Sequence, residues 1–335
     1  MRKKLIIGTG SITLVLVLVL VLVLGAGVQA QSRVIDPIVD TEWLEDNLTN
    51  EDLVILDIRS PEEYGDGHIP GAVNSPEADW YINDPFTVPM TVPWMELPSD
   101  ADISANISAA GITDESLVVI VCRAVSAGPM APAEYALAGA TRVAVTLLYA
   151  GIENVAVLDG GYEKWVADDG ETTTTPSTPS PSGYTAVVDE AMFVSMDYVE
   201  ARIGRTLRYK IVDGRDVDVY FGVTPEPWCA KLGHIPSAKS LPIPWHWTFD
   251  EQGIGTYKDT AVLEDMAAGV VGGQVCGWWG CLPREIIVSC GVGGYASTLY
   301  FVLSEVLGYE NVKIYDGAAQ EWTLAGKPVV IYEWE

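Results

Sequence analysis

Histidine and basic residues are scarce in this sequence. Its 335 residues include three histidines, and 19 lysines and arginines stand against 46 aspartates and glutamates. Three histidines leave little material for a histidine-rich metal centre, so we expect no metal. The net charge of −27 disfavours polyanionic partners, which argues against nucleic acid and against an anionic membrane surface. Apolar residues are plentiful at 49%, enough to build sizeable cores and to exclude general disorder.

The first 30 residues differ from the rest of the chain. Basic residues at positions 2–4 precede an apolar run over 12–24 that only Thr13 interrupts, and small residues up to Ala30 suit cleavage. This pattern predicts an export signal over residues 1–30. No charged residue interrupts 5–30, so the same stretch is long enough for an uncleaved membrane anchor. In both cases we expect the protein outside the cytoplasm, secreted, periplasmic or at the cell surface, where disulfides persist.

A change in composition marks a boundary in the middle of the chain. Threonine, serine and proline replace apolar residues in "GETTTTPSTPSPSG", residues 170–183. Such composition is typical of an extended linker, which we place at 169–186. The linker separates a first domain at 36–168 from a second at 187–332.

The two domains repeat each other. "VILDIRSPEEY" (54–64) corresponds to "KIVDGRDVDVY" (210–220), "GHIPGA" (67–72) to "GHIPSA" (233–238), and "ENVAVLDGGYEKW" (153–165) to "ENVKIYDGAAQEW" (310–322). Three matches in the same order indicate a duplicated domain. Short apolar runs alternate with helix-length segments in each copy, which predicts a parallel sheet covered by helices and an α/β class for both.

Local signals support this class. Ser60, Pro61 and Glu63 form a capping box, so a helix is predicted directly after the strand "VILD". In the second copy, apolar residues recur at helical spacing from Leu299 to Leu307, and Gly308 ends the run. The spacing predicts an amphipathic helix beginning near Tyr295.

Cys290 stands between a strand and this helix, at the start of "CGVGGYA". Glycines allow the amides of residues 291–296 to turn towards the sulfur, and the helix N-terminus also favours negative charge there. Such a nest predicts a lowered thiol pKa and a nucleophilic thiolate. The alternative is that Cys290 is a small buried apolar residue and that the glycines only make a turn. A phosphatase is excluded, because Ala296 stands where its phosphate-binding arginine is required.

The order of "D-x-R", "GHIP", a strand-end cysteine with a glycine loop, and "NV-x-x-x-DG-x-x-x-x-W", found twice, resembles the tandem-domain rhodanese family of sulfurtransferases. The resemblance implies two domains, each a five-stranded parallel sheet flanked by helices, with catalysis in the second. Cys290 would carry sulfur as a persulfide. Its cradle would be formed by Gly291, Val292, Gly293, Gly294, Tyr295 and Ala296. The reaction implied moves sulfur from a small anion to a thiol or cyanide and needs no cofactor.

The residues expected to bind the donor depart from the family pattern. The first arginine of the motif is present as Arg215, supported by Asp213 and His234, but the second falls on Val219. Gly291 and Val292 replace the basic residues of thiosulfate-type loops. Thiosulfate remains the first expectation, with 3-mercaptopyruvate as the alternative. Anion binding would rest on Arg215 and backbone amides, with Lys231 or Lys239 nearby, and we expect weak donor binding.

The remaining cysteines allow further interpretations. Cys276 and Cys281, in "CGWWGC", predict a small disulfide-closed loop or, as an alternative, a redox pair that receives sulfur from Cys290 or resolves its persulfide. A different reading of the whole protein is a non-catalytic sulfur-binding or redox module that uses these two cysteines. Cys122 also ends a strand. It stands 37 residues before Asp159, whereas Cys290 stands 26 before Asp316, so its loop is too long for the same cradle. We expect a structural Cys122 in a first domain that shapes the cleft.

Overall fold

The computed structural model describes residues 33–82, 94–129, 131–272, 275–277, 280–282 and 284–334, with only the backbone of 275–277 and 280–282. The predicted signal or anchor, residues 1–30, lies outside these ranges. In the described part of the chain, no helix combines the length and apolarity needed to cross a bilayer. Residues 33–335 form one compact unit that contains both repeats.

The first repeat alternates strands and helices. Its elements are β1 (Ile38–Val39), α1 (Thr41–Asn47), β2 (Leu53–Asp57), α2 (Pro61–Asp66), β3 (Val73–Asn74), a 3₁₀ turn (Glu77–Trp80), α3 (Asp100–Ala109), β4 (Leu117–Val121), α4 (Ala133–Tyr149), β5 (Val155–Leu158) and α5 (Gly161–Ala167). The capping box at α2 is present as predicted: the Ser60 hydroxyl accepts from the Glu63 amide, and the Glu63 carboxylate accepts from the Ser60 amide.

The second repeat follows the same plan with additional short strands. Its elements are α6 (Met196–Glu200), β6 (Tyr209–Asp213), α7 (Val217–Tyr220), β7 (Ala238–Ser240), a 3₁₀ turn (Ile243–His246), β8 (Trp247–Phe249), β9 (Gly255–Tyr257), α8 (Thr260–Val271), β10 (Val275–Gly277), β11 (Gly280–Leu282), β12 (Glu285–Ser289), α9 (Gly294–Tyr300), a π-helical segment (Phe301–Val306), β13 (Val312–Ile314) and α10 (Ala318–Leu324).

Two parallel sheets confirm the α/β class, with one difference in strand number. The first has five strands in the order β1-β5-β4-β2-β3, all parallel. The second has four, in the order β13-β12-β6-β7. Five strands were expected there as well. A single parallel bridge between Phe193 and Ile314 takes the position of the fifth strand. Val194 donates one backbone hydrogen bond to Ile314 there, and the chain then turns into α6.

The helix after Cys290 begins close to the predicted residue but changes type. α9 is α-helical through Tyr300, and Phe301–Val306 is π-helical, with the amide of Leu307 bonded to the carbonyl of Val302. Such widened turns are uncommon and often lie near functional sites. Gly308 ends the run with a φ of 67°, as its sequence position predicts.

The linker is extended and follows the surface of the first repeat. Thr173 pairs with His68 through two backbone hydrogen bonds of 2.9 Å each, and the amide of Ser177 donates to the hydroxyl of Tyr64. Further along, the amide of Ser182 donates to the carbonyl of Ser108. The linker is therefore attached along its length.

A common apolar core joins the repeats. α4 of the first packs on α9 of the second, and one continuous cluster includes Val143 and Leu137 together with Leu299 and Val302. Separate smaller clusters lie on the outer faces of the two sheets. The interface between the repeats thus has the character of a protein interior.

Polar contacts cross the interface in both directions. Asp316 of the second repeat accepts from the buried guanidinium of Arg142, with Nη1 to Oδ1 at 2.6 Å, and from the amide of Leu97. In return, Asp159, at the corresponding position of the first repeat, accepts from the amide of Tyr257 at 2.8 Å. The duplicated "DG" motif therefore fixes each half against the other.

Candidate active site

Cys290 lies in a short turn between β12 and α9. Only residues 290–293 connect the strand to the helix, and the side chain of Cys290 is 3% exposed. The amide of Gly293 donates to Sγ at 3.1 Å, and the amides of Val292 and Ala296 also contact the sulfur. α10 closes the turn from behind, since the amides of Ala319 and Gln320 bond to the carbonyls of residues 290 and 291. The backbone thus forms the nest that the glycine pattern predicts.

The expectation of a lowered thiol pKa is wrong for this structure. Burial raises the pKa of Cys290 to about 11, although the amides of Ala296, Val292 and Gly293 favour the thiolate, and the charge of Glu226 raises it further. The sequence pattern indicates the amides but not how deeply the sulfur is buried, and burial decides whether the thiol pKa is raised or lowered. The resting sulfur is therefore a thiol surrounded by donors suited to an anion.

Gly293 is required where it stands. Its φ is 104°, and a Cβ there would lie 2.8 Å from Oδ1 of Asp316 and 3.0 Å from the carbonyl oxygen of Met95. Any side chain would press on the residues that join the repeats. Without a side chain, Gly293 can donate its amide to the Cys290 sulfur and still pack directly against Asp316 and Met95.

A cavity of about 260 Å³ opens beside Cys290, between the two repeats. The first repeat contributes Glu77, Tyr81, Trp94, Met95, Arg123, Tyr135, Ala136 and Ala138, and the second contributes Arg215, Asp216, Glu226, Trp228, Cys290, Gly291, Val292, Gly294 and Tyr295. A pocket beside a cysteine at a domain interface is a typical position for a small-molecule site.

Arg215 lies in the wall of this cavity, but carboxylates occupy its guanidinium. Nη2 and Nε donate to Asp213 at 2.6 and 3.0 Å, and Nη1 donates to Glu226 at 3.0 Å. Nη2 also donates to the carbonyl of Gly233 at 2.9 Å. Arg215 and Asp213 are both buried, with side chains 3% and 5% exposed. This arginine holds the "D-x-R" and "GHIP" motifs together and has little positive charge to offer a donor anion.

His234 has a structural position. Its ring stacks on Tyr220 with centroids 3.7 Å apart, and Nδ1 donates to the Tyr220 carbonyl at 2.8 Å. His68 makes the same contacts with Tyr64 in the first repeat, at 3.6 Å and 2.8 Å. The cavity lining includes neither histidine. Both "GHIP" motifs thus stabilise turns.

Sequence reasoning missed Glu226 and Trp228. A Cβ on Gly291 would lie 2.7 Å from Oε1 of Glu226 and 2.7 Å from Nε1 of Trp228, so these side chains fill the space beside the cysteine. The sequence indicates an insertion between the "D-x-R" and "GHIP" motifs of the second repeat. Tyr64 and Gly67 are three positions apart in the first repeat, whereas the corresponding Tyr220 and Gly233 are thirteen apart. The longer loop of the second repeat brings the two residues to the cavity.

Among the described residues, neither lysine expected near the site replaces the missing arginine. Val219 is buried, as expected of a residue that binds no anion. Lys231 donates to the carbonyls of Gly326 and Lys327, and neither it nor Lys239 lines the cavity, contrary to expectation. Lys239 instead lies in β7.

Arg123 of the first repeat reaches the cavity, which the sequence did not predict. Its Nη1 pairs with Glu63 at 2.8 Å. Both guanidiniums that line the cavity are therefore already paired with carboxylates.

Cys122 has different surroundings. Eleven residues, 122–132, separate β4 from α4, against four at Cys290. Among the described residues, no amide other than its own is bonded to the Cys122 sulfur, and burial raises its pKa far above the usual range. The first repeat thus lacks a sulfur cradle of the kind seen at Cys290.

Cys276 and Cys281 lie directly opposite each other in the antiparallel pair β10–β11. Their side chains are outside the described part of the structure.

Comparisons with known proteins agree with the duplicated architecture. The rhodanese-like domain family matches residues 40–168 and 195–325. A protein of Synechococcus elongatus, provisionally named a thiosulfate sulfurtransferase, is 29% identical over 308 residues, covering 90% of this chain and 87% of its own. Thiosulfate/3-mercaptopyruvate sulfurtransferase 2 of Arabidopsis thaliana is 27% identical over 323 residues, covering 87% and 85%. The SseA crystal structure from Escherichia coli, described as a 3-mercaptopyruvate sulfotransferase, superimposes with a TM-score of 0.65 at 24% identity, covering 84% and 98%.

Proposed function

Because this chain belongs to the rhodanese family and carries the rhodanese-like domain twice, we propose that it transfers sulfur through a persulfide on Cys290, with thiosulfate as donor and a thiol or cyanide as acceptor. One observation carries the proposal. The Cys290 sulfur lies beside the cavity between the repeats and is contacted by three backbone amides. Such a nest suits a nucleophile that becomes an anion and then carries one.

The loading step is a displacement at sulfur. The Cys290 thiol loses its proton and the thiolate attacks the outer sulfur of thiosulfate, so that a new S–S bond forms. The bond to the sulfonate sulfur breaks, its electron pair leaves with sulfite, and the sulfite takes up the proton. Cys290 is oxidised no further than the persulfide, and the step consumes no cofactor.

The amide nest matches the persulfide better than the resting thiol. A persulfide is a stronger acid than a thiol, so it ionises where burial keeps the thiol neutral. The amides of Val292, Gly293 and Ala296 then have a charged acceptor. On this basis the nest stabilises the loaded state more than the empty one.

3-Mercaptopyruvate is the alternative donor. Cys290 would take its sulfur and release pyruvate, with the proton of the Cys290 thiol passing to the product carbon. Paired guanidiniums in the cavity argue for weak binding of either anion.

The experiment incubates the protein with each donor separately and measures the mass of the Cys290 peptide. We expect an added sulfur atom that dithiothreitol removes, with Cys290→Ser as the matched control. A gain with only one donor identifies it. No gain with either would overturn the proposal for these donors.

We further propose that the protein works outside the cytoplasm and that Cys276 and Cys281 form a disulfide. Residues directly opposite in an antiparallel pair have Cα atoms about 4.5–5.5 Å apart, within the range of bridged cysteines. Cell fractionation tests the location. Alkylation before and after reduction, followed by measurement of the peptide mass, tests the bridge. Two free thiols in the exported protein would contradict the disulfide.

A further inference from the structure

The cavity beside Cys290 carries more negative than positive charge. Glu77, Asp216 and Glu226 line it, and the two arginines that also line it are each paired with a carboxylate. Asp216 is exposed at the rim and has no ion-pair partner among the described residues. Glu226 is itself paired with Arg215, so the exposed carboxylate without a counter-charge is that of Asp216. An entering anion would be repelled by Asp216, whereas an entering cation would pair with it.

Burial is the main cause that raises the pKa of these carboxyl groups, and a cation bound beside them would favour their ionised forms. Burial raises the pKa of Glu77 to about 7, despite the charge of Arg123 and a hydrogen bond from Tyr81. Burial also raises the pKa of Glu226, and burial and then the charges of Asp218 and Glu134 raise that of Asp216.

Aromatic rings form much of the remaining wall. Tyr135 and Tyr295 approach with ring centroids 6.0 Å apart, one from each repeat. Trp94 and Trp228 meet edge to face at 5.1 Å, again one from each repeat. Two cross-repeat aromatic pairs next to carboxylates provide ring faces that attract organic cations.

We propose that this cavity binds an organic cation of the ammonium class, which serves as the sulfur acceptor. The proposal rests on the proposed function for its chemistry, while the binding of the cation can be measured without it. Thiosulfate and mercaptopyruvate are both anions, so the charge of the cavity suits the molecule that leaves with the sulfur rather than the one that delivers it.

The transfer step with an aminothiol acceptor balances without an external oxidant. The acceptor thiolate attacks the outer sulfur of the Cys290 persulfide and forms a new S–S bond. The S–S bond to Cys290 breaks and its electron pair returns to Sγ, while the outer sulfur keeps its negative charge in the acceptor persulfide. The ammonium group would lie against the rings and the carboxylates while the thiolate reaches Cys290.

Binding is tested first on the sulfur-free protein by tryptophan fluorescence. Choline is compared with its neutral isostere 3,3-dimethylbutan-1-ol and with the anion 3,3-dimethylbutyrate at one ionic strength. We expect choline to bind about tenfold more tightly than the neutral isostere, since cation–π and carboxylate contacts both favour the charged ligand. Equal binding of the three ligands, or tighter binding of the anion, overturns the proposal.

Variants then connect binding to this cavity. Asp216→Asn and Tyr135→Leu should each reduce the preference for choline over its isostere by about threefold or more. Asp265→Asn, which removes an exposed carboxylate of α8 outside the cavity lining, should leave the preference unchanged. A preference that Asp216→Asn and Tyr135→Leu both leave intact would place the cation elsewhere and refute the assignment.

Turnover separates the two proposals. Protein loaded with sulfur is mixed with thiocholine or with 2-mercaptoethanol, and rates are compared at equal thiolate concentration. Faster unloading by thiocholine, reduced by Asp216→Asn, supports the acceptor role. Loading of Cys290 without a preference for thiocholine refutes the inference and leaves the proposed function standing. Choline binding without any loading contradicts the proposed function and restricts the inference to the binding site.

Discussion

Substituting Gly293 by alanine tests whether the turn at Cys290 is built against the repeat interface. The glycine has a φ of 104°, its amide bonds the Cys290 sulfur at 3.1 Å, and a Cβ would lie 2.8 Å from Oδ1 of Asp316. Asp316 cannot move away freely, because the guanidinium of Arg142 and the amide of Leu97 hold it. The added methyl group must therefore displace the turn or the ion pair.

The expected loss of stability has two parts. An alanine in the left-handed region costs about 1–2 kcal/mol. Overpacking against groups that cannot relax adds about 1–3 kcal/mol. Gly308→Ala is the matched control, because Gly308 has a φ of 67° and nothing within 4 Å of its Cβ position, so it carries only the first cost.

Urea unfolding followed by tryptophan fluorescence gives the free energies, and sulfur loading from thiosulfate reports on the turn. We expect Gly293→Ala to lose about 1–3 kcal/mol more than Gly308→Ala and to load sulfur at least tenfold more slowly. Equal stability losses in the two variants, with loading unchanged in Gly293→Ala, would refute the reasoning that the turn is fitted to the interface.

Three further predictions concern the interface and the thiol. Arg142→Met should lower the free energy of unfolding in urea by about 3–5 kcal/mol, because it leaves Asp316 without its buried partner. The control Arg33→Met, at a partly exposed pair with Glu305, should lower it by about 1 kcal/mol or less. Alkylation of Cys290 by iodoacetamide should accelerate about tenfold per pH unit from pH 7 to 10, since its pKa of about 11 lies above this range; a plateau below pH 9 would contradict the dominance of burial. Glu226→Gln should shift that alkylation profile to lower pH, because the Glu226 charge adds to burial in raising the thiol pKa, and an unchanged profile would show that Arg215 already cancels it.

The duplicated motifs allowed the scaffold of the site to be predicted. In both repeats the arginine of "D-x-R" donates to the aspartate two residues earlier and to the carbonyl of the glycine in "GHIP". These contacts join segments that are close in sequence, so the same motif makes the same contacts in each repeat. Loop length was equally informative, because eleven residues after β4 and four after β12 follow from the spacings to Asp159 and Asp316.

The charge of the site could not be predicted in this way. Glu77 and Arg123 reach the cavity from the first repeat, more than 160 positions before Cys290 in the chain. The sign of the Cys290 pKa shift depends on burial, which α9, α10 and the first repeat create together. Local patterns contain the amides of the nest, but burial and charge arise from contacts that only the folded chain brings together.

The interface explains what a first repeat without its own sulfur cradle contributes. It supplies about half of the residues around the cavity, including Trp94 and Tyr135. Its Arg142 holds Asp316, and Asp316 lies against Gly293, whose amide bonds the sulfur. A continuous line of contacts thus runs from the core of the first repeat to Cys290 of the second. Since packed cores change between discrete arrangements rather than deforming gradually, a change in α4 would reach Cys290 through Asp316, and the site belongs to the pair of domains rather than to the second alone.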